Sequence, residues 1–215
     1  MTPLPNPPLL LITDRHRAVR PLESIARDAF AAGCRWLSVR DKDLSGVERA
    51  ALVRALQCAA EPWGALIGVH GMSELPVAAV HLPRDGDARG ARTRLPDGCL
   101  VGISAHDEGE LHRAACAGAD YATLSPVFAT ASKPGAPALG PDRFACLAGT
   151  APLPVLALGG LTAGSVRGCV AAGAHGIAVI GSVMAARDTG AAVAELIEAL
   201  DDAAGRHRTP RHHAS

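Results

Sequence analysis

Short apolar runs alternate with longer amphipathic, alanine-rich runs along most of the chain. The short runs are rich in Leu, Ile and Val, which is typical of buried β-strands. The longer runs have the mixed character of helices that cover a sheet. The predicted strands are LLLIT, WLSVR, LIGVH, AVHLP, LVGIS, YATLS, VLALGG and GIAVIG. The pattern therefore predicts a repeated strand–helix unit, with strand and helix alternating throughout.

Three joints between a predicted helix and the next strand share one feature. In AAGCRWLSV, CAGADYATLS and AAGAHGIAVI, a glycine stands where a helix ends in a left-handed cap. Strands that are apolar on both faces indicate a parallel sheet beneath helices. We therefore predict an α/β protein that is a single (β/α)8 TIM barrel. The alternative is a doubly wound open sheet, which is disfavoured because LITDRHRAVR lacks a GxGxxG turn.

Candidate chemistry lies after the predicted strands, because (β/α)8 barrels place active sites at the carboxyl ends of their strands. Arg40 and Lys42 are two residues apart in an extended segment, so both side chains point to one side and can bind one anion. The alternative is a pair of solvated charges. Other strand ends present His70, Asp85, Asp87, Ser104 and His106.

The segment SPVFATASKPGAPALG, residues 125–140, follows the sixth predicted strand. Its prolines limit the freedom of the loop, so Thr130, Ser132 and Lys133 can meet an anion at a lower entropic cost. The seventh and eighth strands end in LGGLTAGS and VIGSVM, where glycines let backbone N–H groups approach a phosphate. These turns predict a phosphate site, which is common at this end of a barrel.

Composition narrows the function classes. The chain has 215 residues, 48% of them hydrophobic, and we predict one barrel domain over residues 1–205 with a disordered tail at 206–215. Lys plus Arg and Asp plus Glu both total 21, and aromatic residues make up 3%, so neither nucleic acid nor a membrane is an expected partner. The six cysteines have no zinc spacing and are expected to be small buried residues of a cytoplasmic protein.

The chain resembles the thiamine phosphate synthase/TenI superfamily. The resemblance covers most of residues 9–200 and is carried by VRDK, GISAH, SPVFATASK, ALGG and GIAVIGS in that order. It implies one of two chemistries on a barrel. Synthases join a pyrimidine methyl pyrophosphate to a thiazole phosphate by a dissociative displacement, with Mg²⁺ on the leaving pyrophosphate. TenI-type members bind the thiazole phosphate alone and shift a proton to aromatise its ring.

The resemblance implies that the thiazole phosphate side of the site is largely retained. Thr130, Ser132 and Lys133 match a hydroxyl-hydroxyl-lysine loop of the family. Gly181 stands where synthases usually carry serine, and Ser182 follows it. The remaining matches are an S-x-H element at Ser104 and His106, and phosphate turns at Gly159, Gly160 and Ile180.

The pyrophosphate side departs from the synthase pattern. Ser38 replaces a glutamine, and His70-Gly71 replaces an Asn-Asp pair, so one Mg²⁺-binding carboxylate is missing. HLPRDGD replaces HLGQxD, so Asp85 or Asp87 binds metal only if the loop is shifted by one residue. The HLP sequence instead resembles TenI-type proteins.

We therefore predict a TenI-like thiazole tautomerase that needs no cofactor. His106 is its candidate acid and base, because imidazole titrates near neutral pH, and Arg40 and Lys42 would hold the thiazole carboxylate. His70 joins the candidate binding residues. The alternatives are a Mg²⁺-dependent thiamine phosphate synthase and a non-catalytic, regulatory binder of a phosphorylated ligand. The expected partner is a small-molecule thiazole phosphate, and homo-oligomerisation is left open.

Overall fold

A computed structural model describes residues 2–132, 135 and 137–205. Two features singled out from the sequence lie outside the described residues. One is Lys133 of the loop after the sixth strand, and the other is the predicted tail, residues 206–215.

Eight parallel strands form a closed barrel in which each strand pairs with its neighbours in chain order, and β8 pairs with β1. Every predicted apolar run contributes one strand, so the predicted (β/α)8 barrel is confirmed. The strands are β1 (Leu9–Ile12), β2 (Trp36–Val39), β3 (Leu66–His70), β4 (Ala79–Leu82), β5 (Leu100–Ala105), β6 (Tyr121–Leu124), β7 (Val155–Leu158) and β8 (Gly176–Val179).

Helices surround the barrel, and a single turn of 3-10 helix (Glu61–Trp63) follows α2. The helices are α1 (Leu22–Ala31), α2 (Gly46–Ala60), α3 (Ala88–Arg94), α4 (Glu108–Cys116), α5 (Gly140–Gly149), α6 (Ala163–Ala171), α7 (Gly181–Met184) and α8 (Thr189–Ala203).

The alternation predicted from the sequence fails between β3 and β4. Residues 71–78 connect these strands without a helix. Gly71 turns the chain there with a φ of 84°, and Pro76 has no N–H to donate to a helical hydrogen bond. Elsewhere the predicted glycine caps are present, since Gly33, Gly118 and Gly173 have φ values of 109°, 82° and 99°.

Two apolar layers hold the barrel together, because alternate residues of each strand face opposite sides. Leu9 and Leu11 pack outward against the helices, while Leu10 and Ile12 point into the barrel. The inner layer consists of Leu10, Ile12, Trp36, Ala79, Leu100, Tyr121, Leu156 and Ala178.

Trp36 and Tyr121 fill the lower barrel interior, each at the first residue of its strand. Their rings meet edge to face with centroids 4.8 Å apart. Gly102 makes room for this pair, since a methyl group on it would lie 2.0 Å from Cζ of Tyr121. The described cavity of the barrel lies on the other side of this pair, toward the carboxyl ends of the strands.

The cysteines are all unpaired, but only half of the prediction about their burial is correct. Cys34, Cys99 and Cys169 are buried, whereas Cys58, Cys116 and Cys146 are exposed on helices. In the part of the chain that the structure describes, no helix is long and apolar enough to span a membrane.

Candidate active site

A cavity of about 420 Å³ opens at the carboxyl ends of the strands. Its size falls within the range of small-molecule sites. Among the described residues, the predicted site residues that line it are Arg40, Lys42, His70, Ser104, Thr130, Ser132, Gly159, Gly160, Ile180, Gly181 and Ser182. The topology thus brings together residues that are up to about 140 positions apart in the sequence, because all follow parallel strands.

Arg40 and Lys42 line one wall, as their spacing predicts. Asp41 between them is buried and points away from the cavity, where it accepts hydrogen bonds from the Thr13 hydroxyl (2.6 Å) and the Arg15 N–H (2.7 Å). The Thr13 hydroxyl in turn accepts from the N–H of Arg40 at 2.9 Å. These bonds tie the β1 loop to the β2 loop and fix where both cations emerge.

A layer of polar side chains forms the cavity floor above the aromatic pair. His81 lies in this layer, with Nδ1 3.1 Å from the Tyr121 hydroxyl and Nε2 3.0 Å from the Ser104 hydroxyl. His70 is adjacent, with its ring centroid 4.7 Å from that of His81 and its Nδ1 3.0 Å from the Ser38 hydroxyl. Protein hydroxyls engage both ring nitrogens of His81, so the polar groups that this layer presents to the cavity are the His70 ring and the Ser104 hydroxyl.

Both histidines of the floor favour the neutral form. Burial, with a smaller contribution from the Lys42 ammonium, lowers the pKa of His81 from its ordinary 6.5 to about 3. Burial also lowers the pKa of His70 well below its ordinary value, with His81 and Lys42 acting in the same direction. Both rings are therefore uncharged hydrogen-bonding groups near neutral pH.

The β6 loop and the β7 turn are built as one unit. The N–H groups of Val127 and Phe128 donate to the carbonyls of Leu158 and Gly159 at 2.9 and 3.0 Å. A methyl group on Gly160 would lie 2.5 Å from the Ala129 carbonyl oxygen, and Gly160 has a φ of 65°. The glycine pair thus permits close packing of the β7 turn against the β6 loop.

The β6 loop is closed at its base. The N–H groups of Leu139 and Gly140 donate to the carbonyls of Pro126 and Val127 at 2.9 and 3.0 Å. Thr130 and Ser132 lie within this closed segment and line the cavity, and the Thr130 hydroxyl accepts from the N–H of Ser132 at 3.3 Å. The loop therefore presents its hydroxyls from a fixed base.

His106 does not belong to the described lining of the cavity. The residue follows β5, and its N–H and ring Nδ1 lie 2.7 and 3.1 Å from Oε2 of Glu110 on α4. This pairing holds the imidazole toward the helix. Ser104, predicted as a binding residue, lines the cavity. His106, predicted as the acid and base, does not line it.

Asp85 and Asp87 also lie outside the lining and are exposed. Asp87 caps α3 by accepting the N–H of Gly90 at 2.8 Å. Position 86 between them cannot hold a carboxylate in this loop conformation either, since even a methyl group on Gly86 would lie 2.7 Å from Cβ of Leu82. Within the described residues, no group of three or more His, Cys, Asp or Glu side chains is placed to hold a metal ion.

Two titratable residues of the described lining, Arg17 and His81, were not predicted from the sequence. Arg17 follows β1 in the segment DRHR, where the sequence offers two arginines and no periodicity to decide between them. The structure turns Arg15 outward to an ion pair with Asp43 and brings Arg17 into the cavity. His81 could have been found from strand alternation, because it lies two residues after the inward-facing Ala79.

The described lining is positively charged. It contains Arg17, Arg40 and Lys42 and no carboxylate. Arg40 also contacts Asp14, with Nη1 3.2 Å from Oδ2, so part of its charge is balanced from behind. The cavity is suited to an anionic ligand with an apolar body, since Ile12, Leu82, Pro83 and Leu158 supply the remaining walls.

Comparison with known proteins agrees with this architecture. The family model described as thiamine monophosphate synthase matches residues 9–183. A putative thiamine-phosphate synthase of Geobacter sulfurreducens is 37% identical over 188 residues, covering 84% of this chain and 88% of that protein. The thiamine-phosphate synthase of Chromobacterium violaceum is 40% identical over 181 residues, covering 81% and 87%. Thiamine phosphate pyrophosphorylase from Pyrococcus furiosus superposes with a TM-score of 0.81 at 26% identity, covering 91% and 96%. The chain therefore belongs to the thiamine monophosphate synthase family.

Proposed function

We propose that the chain is a thiamine-phosphate synthase, which couples hydroxymethylpyrimidine pyrophosphate with a thiazole phosphate. The synthase was one of two alternatives to the tautomerase predicted from the sequence, and the relatives support it better than the tautomerase. The observation that carries the proposal is the character of the described lining. It combines cationic side chains with two imidazoles whose pKa values lie well below neutral pH.

The coupling needs anion binding more than proton transfer. The lone pair of the thiazole nitrogen forms the new bond to the methylene carbon of the pyrimidine. The bond from that carbon to the pyrophosphate oxygen breaks, and its electron pair leaves with the pyrophosphate. The thiazole becomes a thiazolium cation and no proton has to move. A cavity without a near-neutral base in its described lining suits this chemistry.

Arg40 and Lys42 are the residues we assign to the leaving pyrophosphate. Charge accumulates on its oxygens as the carbon–oxygen bond breaks, and fixed cations stabilise that charge most when they need no rearrangement. The Asp41 and Thr13 hydrogen bonds hold the Arg40 backbone in place before any ligand binds. The Arg40 backbone is therefore held in place for this role, and Lys42 lies two residues further along the same segment.

Mg²⁺ is the cofactor that the family resemblance implies, and the residues present do not fit a resident Mg²⁺ site. Mg²⁺ prefers carboxylates together with substrate phosphates. The described lining has no carboxylate, position 71 is a glycine, and Asp85 and Asp87 lie outside the lining. We therefore assign charge stabilisation to the arginine and lysine side chains.

The tautomerase predicted from the sequence has weaker support. It needs an acid/base group that exchanges a proton with the thiazole ring near neutral pH. His106 was the candidate, and its ring is held by Glu110 outside the lining. The two imidazoles inside the lining are poor bases, because their pKa values are lowered by burial.

The decisive experiment measures thiamine phosphate formed by the purified protein from the two substrates. We expect turnover, with a loss of about 100-fold or more in Arg40→Gln and Lys42→Met, because each removes a charge from the leaving-group side. Arg54→Gln, on the exposed face of α2, is the matched control. His106→Asn separates the proposals, since a synthase should retain its rate and a tautomerase should lose it.

Two other outcomes would contradict the synthase. Isomerisation of the thiazole ring without coupling, lost in His106→Asn, would establish the tautomerase. Tight binding of the thiazole phosphate with neither reaction would establish the non-catalytic binder.

A further inference from the structure

Arg17 presents an unsatisfied cation to the cavity. It lies in the loop between β1 and α1 and belongs to the lining. Its Nε atom is buried and has no hydrogen-bond partner in the described part of the chain. A buried N–H group without an acceptor costs free energy, so this arrangement is expected to be stabilised when a ligand supplies the acceptor.

The neighbouring arginines are all neutralised by acidic residues. Arg15 pairs with Asp43, and Arg20 Nη2 lies 2.7 Å from Oδ2 of Asp28. Arg17 has no such ion pair within the described residues, although the same loop carries Asp14, which pairs with Arg40 instead. The loop thus leaves the charge of Arg17 available to the cavity.

Gly181 provides the space that Arg17 occupies. A methyl group on Gly181 would lie 2.8 Å from Nη2 and 3.1 Å from Nε of Arg17, so the guanidinium lies directly over the turn after β8. Gly181 is not among the glycines with a positive φ, so the backbone conformation itself does not require glycine there. The guanidinium of Arg17 therefore fills the space that a side chain at position 181 would occupy.

We propose that Arg17 is a specificity-determining ligand of the phosphate monoester of the thiazole substrate, bound at the β8 turn. A guanidinium can donate two parallel hydrogen bonds to phosphate oxygens, and Nε is one of the two donors of that fork. The Arg17 guanidinium lies next to Gly181, after β8. Arg40 and Lys42 follow β2, and β1 lies between β8 and β2 in the barrel. Two separate anion sites result, one for each substrate. The assignment of the ligand rests on the proposed function.

Binding measurements test this proposal without any turnover. Calorimetry compares the thiazole phosphate, the unphosphorylated thiazole alcohol and inorganic pyrophosphate on the wild type and on Arg17→Gln. We expect the variant to bind the thiazole phosphate about 10- to 100-fold more weakly, the worth of a charge-assisted hydrogen bond. The other two ligands should change by less than about threefold. Arg15→Gln, which alters a cation outside the lining, should leave all three affinities unchanged.

A double-mutant cycle tests the pairing with Gly181. Gly181→Ser alone should displace the guanidinium and weaken binding of the thiazole phosphate by about 10-fold. Combined with Arg17→Ala it should bind better than Arg17→Ala alone, because the serine hydroxyl then occupies the vacated space and donates to the phosphate. Additive losses in the double variant would contradict the proposed exchange between the two side chains.

The outcomes separate this proposal from the synthase assignment. An equal loss for all three ligands, or no loss for the thiazole phosphate, would overturn the role of Arg17. If the wild type fails to bind the thiazole phosphate, inorganic phosphate observed by ³¹P NMR becomes the probe. Phosphate binding that is lost in Arg17→Gln would then support Arg17 as an anion ligand while the synthase assignment fails. Phosphate binding that is unchanged would overturn both.

Discussion

The buried histidine of the cavity floor predicts how the stability of the fold depends on pH. The pKa of His81 is about 3 in the folded protein and about 6.5 as its ordinary value. Below about pH 6.5 the unfolded chain therefore binds a proton that the folded protein excludes, and stability is lost as the pH falls. The loss continues until the folded pKa is reached.

The magnitude follows from the size of this window. Each pH unit below the unfolded pKa costs about 1.4 kcal/mol, so His81 alone removes about 2 kcal/mol between about pH 6.5 and pH 5. His70 acts in the same direction, because its pKa is also lowered by burial and by His81. The free energy of unfolding of the wild type should therefore fall by at least about 2 kcal/mol over this range.

His81→Gln is the perturbation that isolates the effect. At about pH 7.5 the variant should be less stable by about 1–3 kcal/mol, because Tyr121, Ser104 and Thr123 lose their imidazole partner. Between about pH 7.5 and pH 5, the free energy of unfolding of the variant should also fall by about 2 kcal/mol less than that of the wild type. The two stabilities therefore approach each other near pH 5. Urea unfolding followed by tryptophan fluorescence measures both quantities.

His175→Gln is the matched control, since this histidine is exposed after α6. The control should retain the wild-type pH dependence. A wild-type free energy of unfolding that is constant between about pH 7.5 and pH 5 would refute the reasoning. The same slope in His81→Gln as in the wild type would refute the assignment to this residue.

Three further predictions test the site. Adding EDTA to the coupling assay should lower the rate by less than about threefold, because cations line the pyrophosphate side; a loss above about 100-fold that Mg²⁺ restores would contradict this assignment. Gly160→Ala should lower the free energy of unfolding by about 1–3 kcal/mol in urea titrations, since its φ is 65° and its methyl group would meet the Ala129 carbonyl. Gly164→Ala, whose methyl group has ordinary contacts, should not. Asp41→Ala should cost about 2–4 kcal/mol of stability and weaken pyrophosphate binding in calorimetry, because the buried Thr13 hydroxyl loses its acceptor; unchanged affinity would show that Arg40 needs no anchor.

The fold could be predicted from the sequence because its signals are local and repeated. Each buried strand forms a short apolar run, and glycine caps such as Gly33, Gly118 and Gly173 mark where helices end. Eight such units are the number that closes a (β/α)8 barrel, and the missing GxGxxG turn disfavoured an open sheet. The missing helix between β3 and β4 was harder to predict, since Gly71 and Pro76 are single signals against a helix within residues 71–78.

The site could be predicted where a strand end fixes the direction of a side chain. Arg40 and Lys42 are two residues apart and both reach the cavity, whereas Asp41 between them turns into the β1 loop. The direction of Arg17 could not be predicted, because it depends on the empty space over Gly181, which is far away in the sequence. The orientation of the His106 ring could not be predicted either, because the ring contacts Glu110, and this contact depends on where α4 packs.

Lys42 links the positive charge of this cavity to its neutral imidazoles. Lys42 supplies charge for an anion, and the same ammonium adds to burial in lowering the pKa of both His70 and His81. A protonated His81 would also break the alternation of donors and acceptors with Tyr121 and Ser104. Keeping the floor neutral therefore confines the positive charge to the rim, where Arg17, Arg40 and Lys42 can contact phosphate groups. An apolar ring can then lie over the uncharged floor while its anionic groups bind at the rim, which is the arrangement that joining two ring substrates requires.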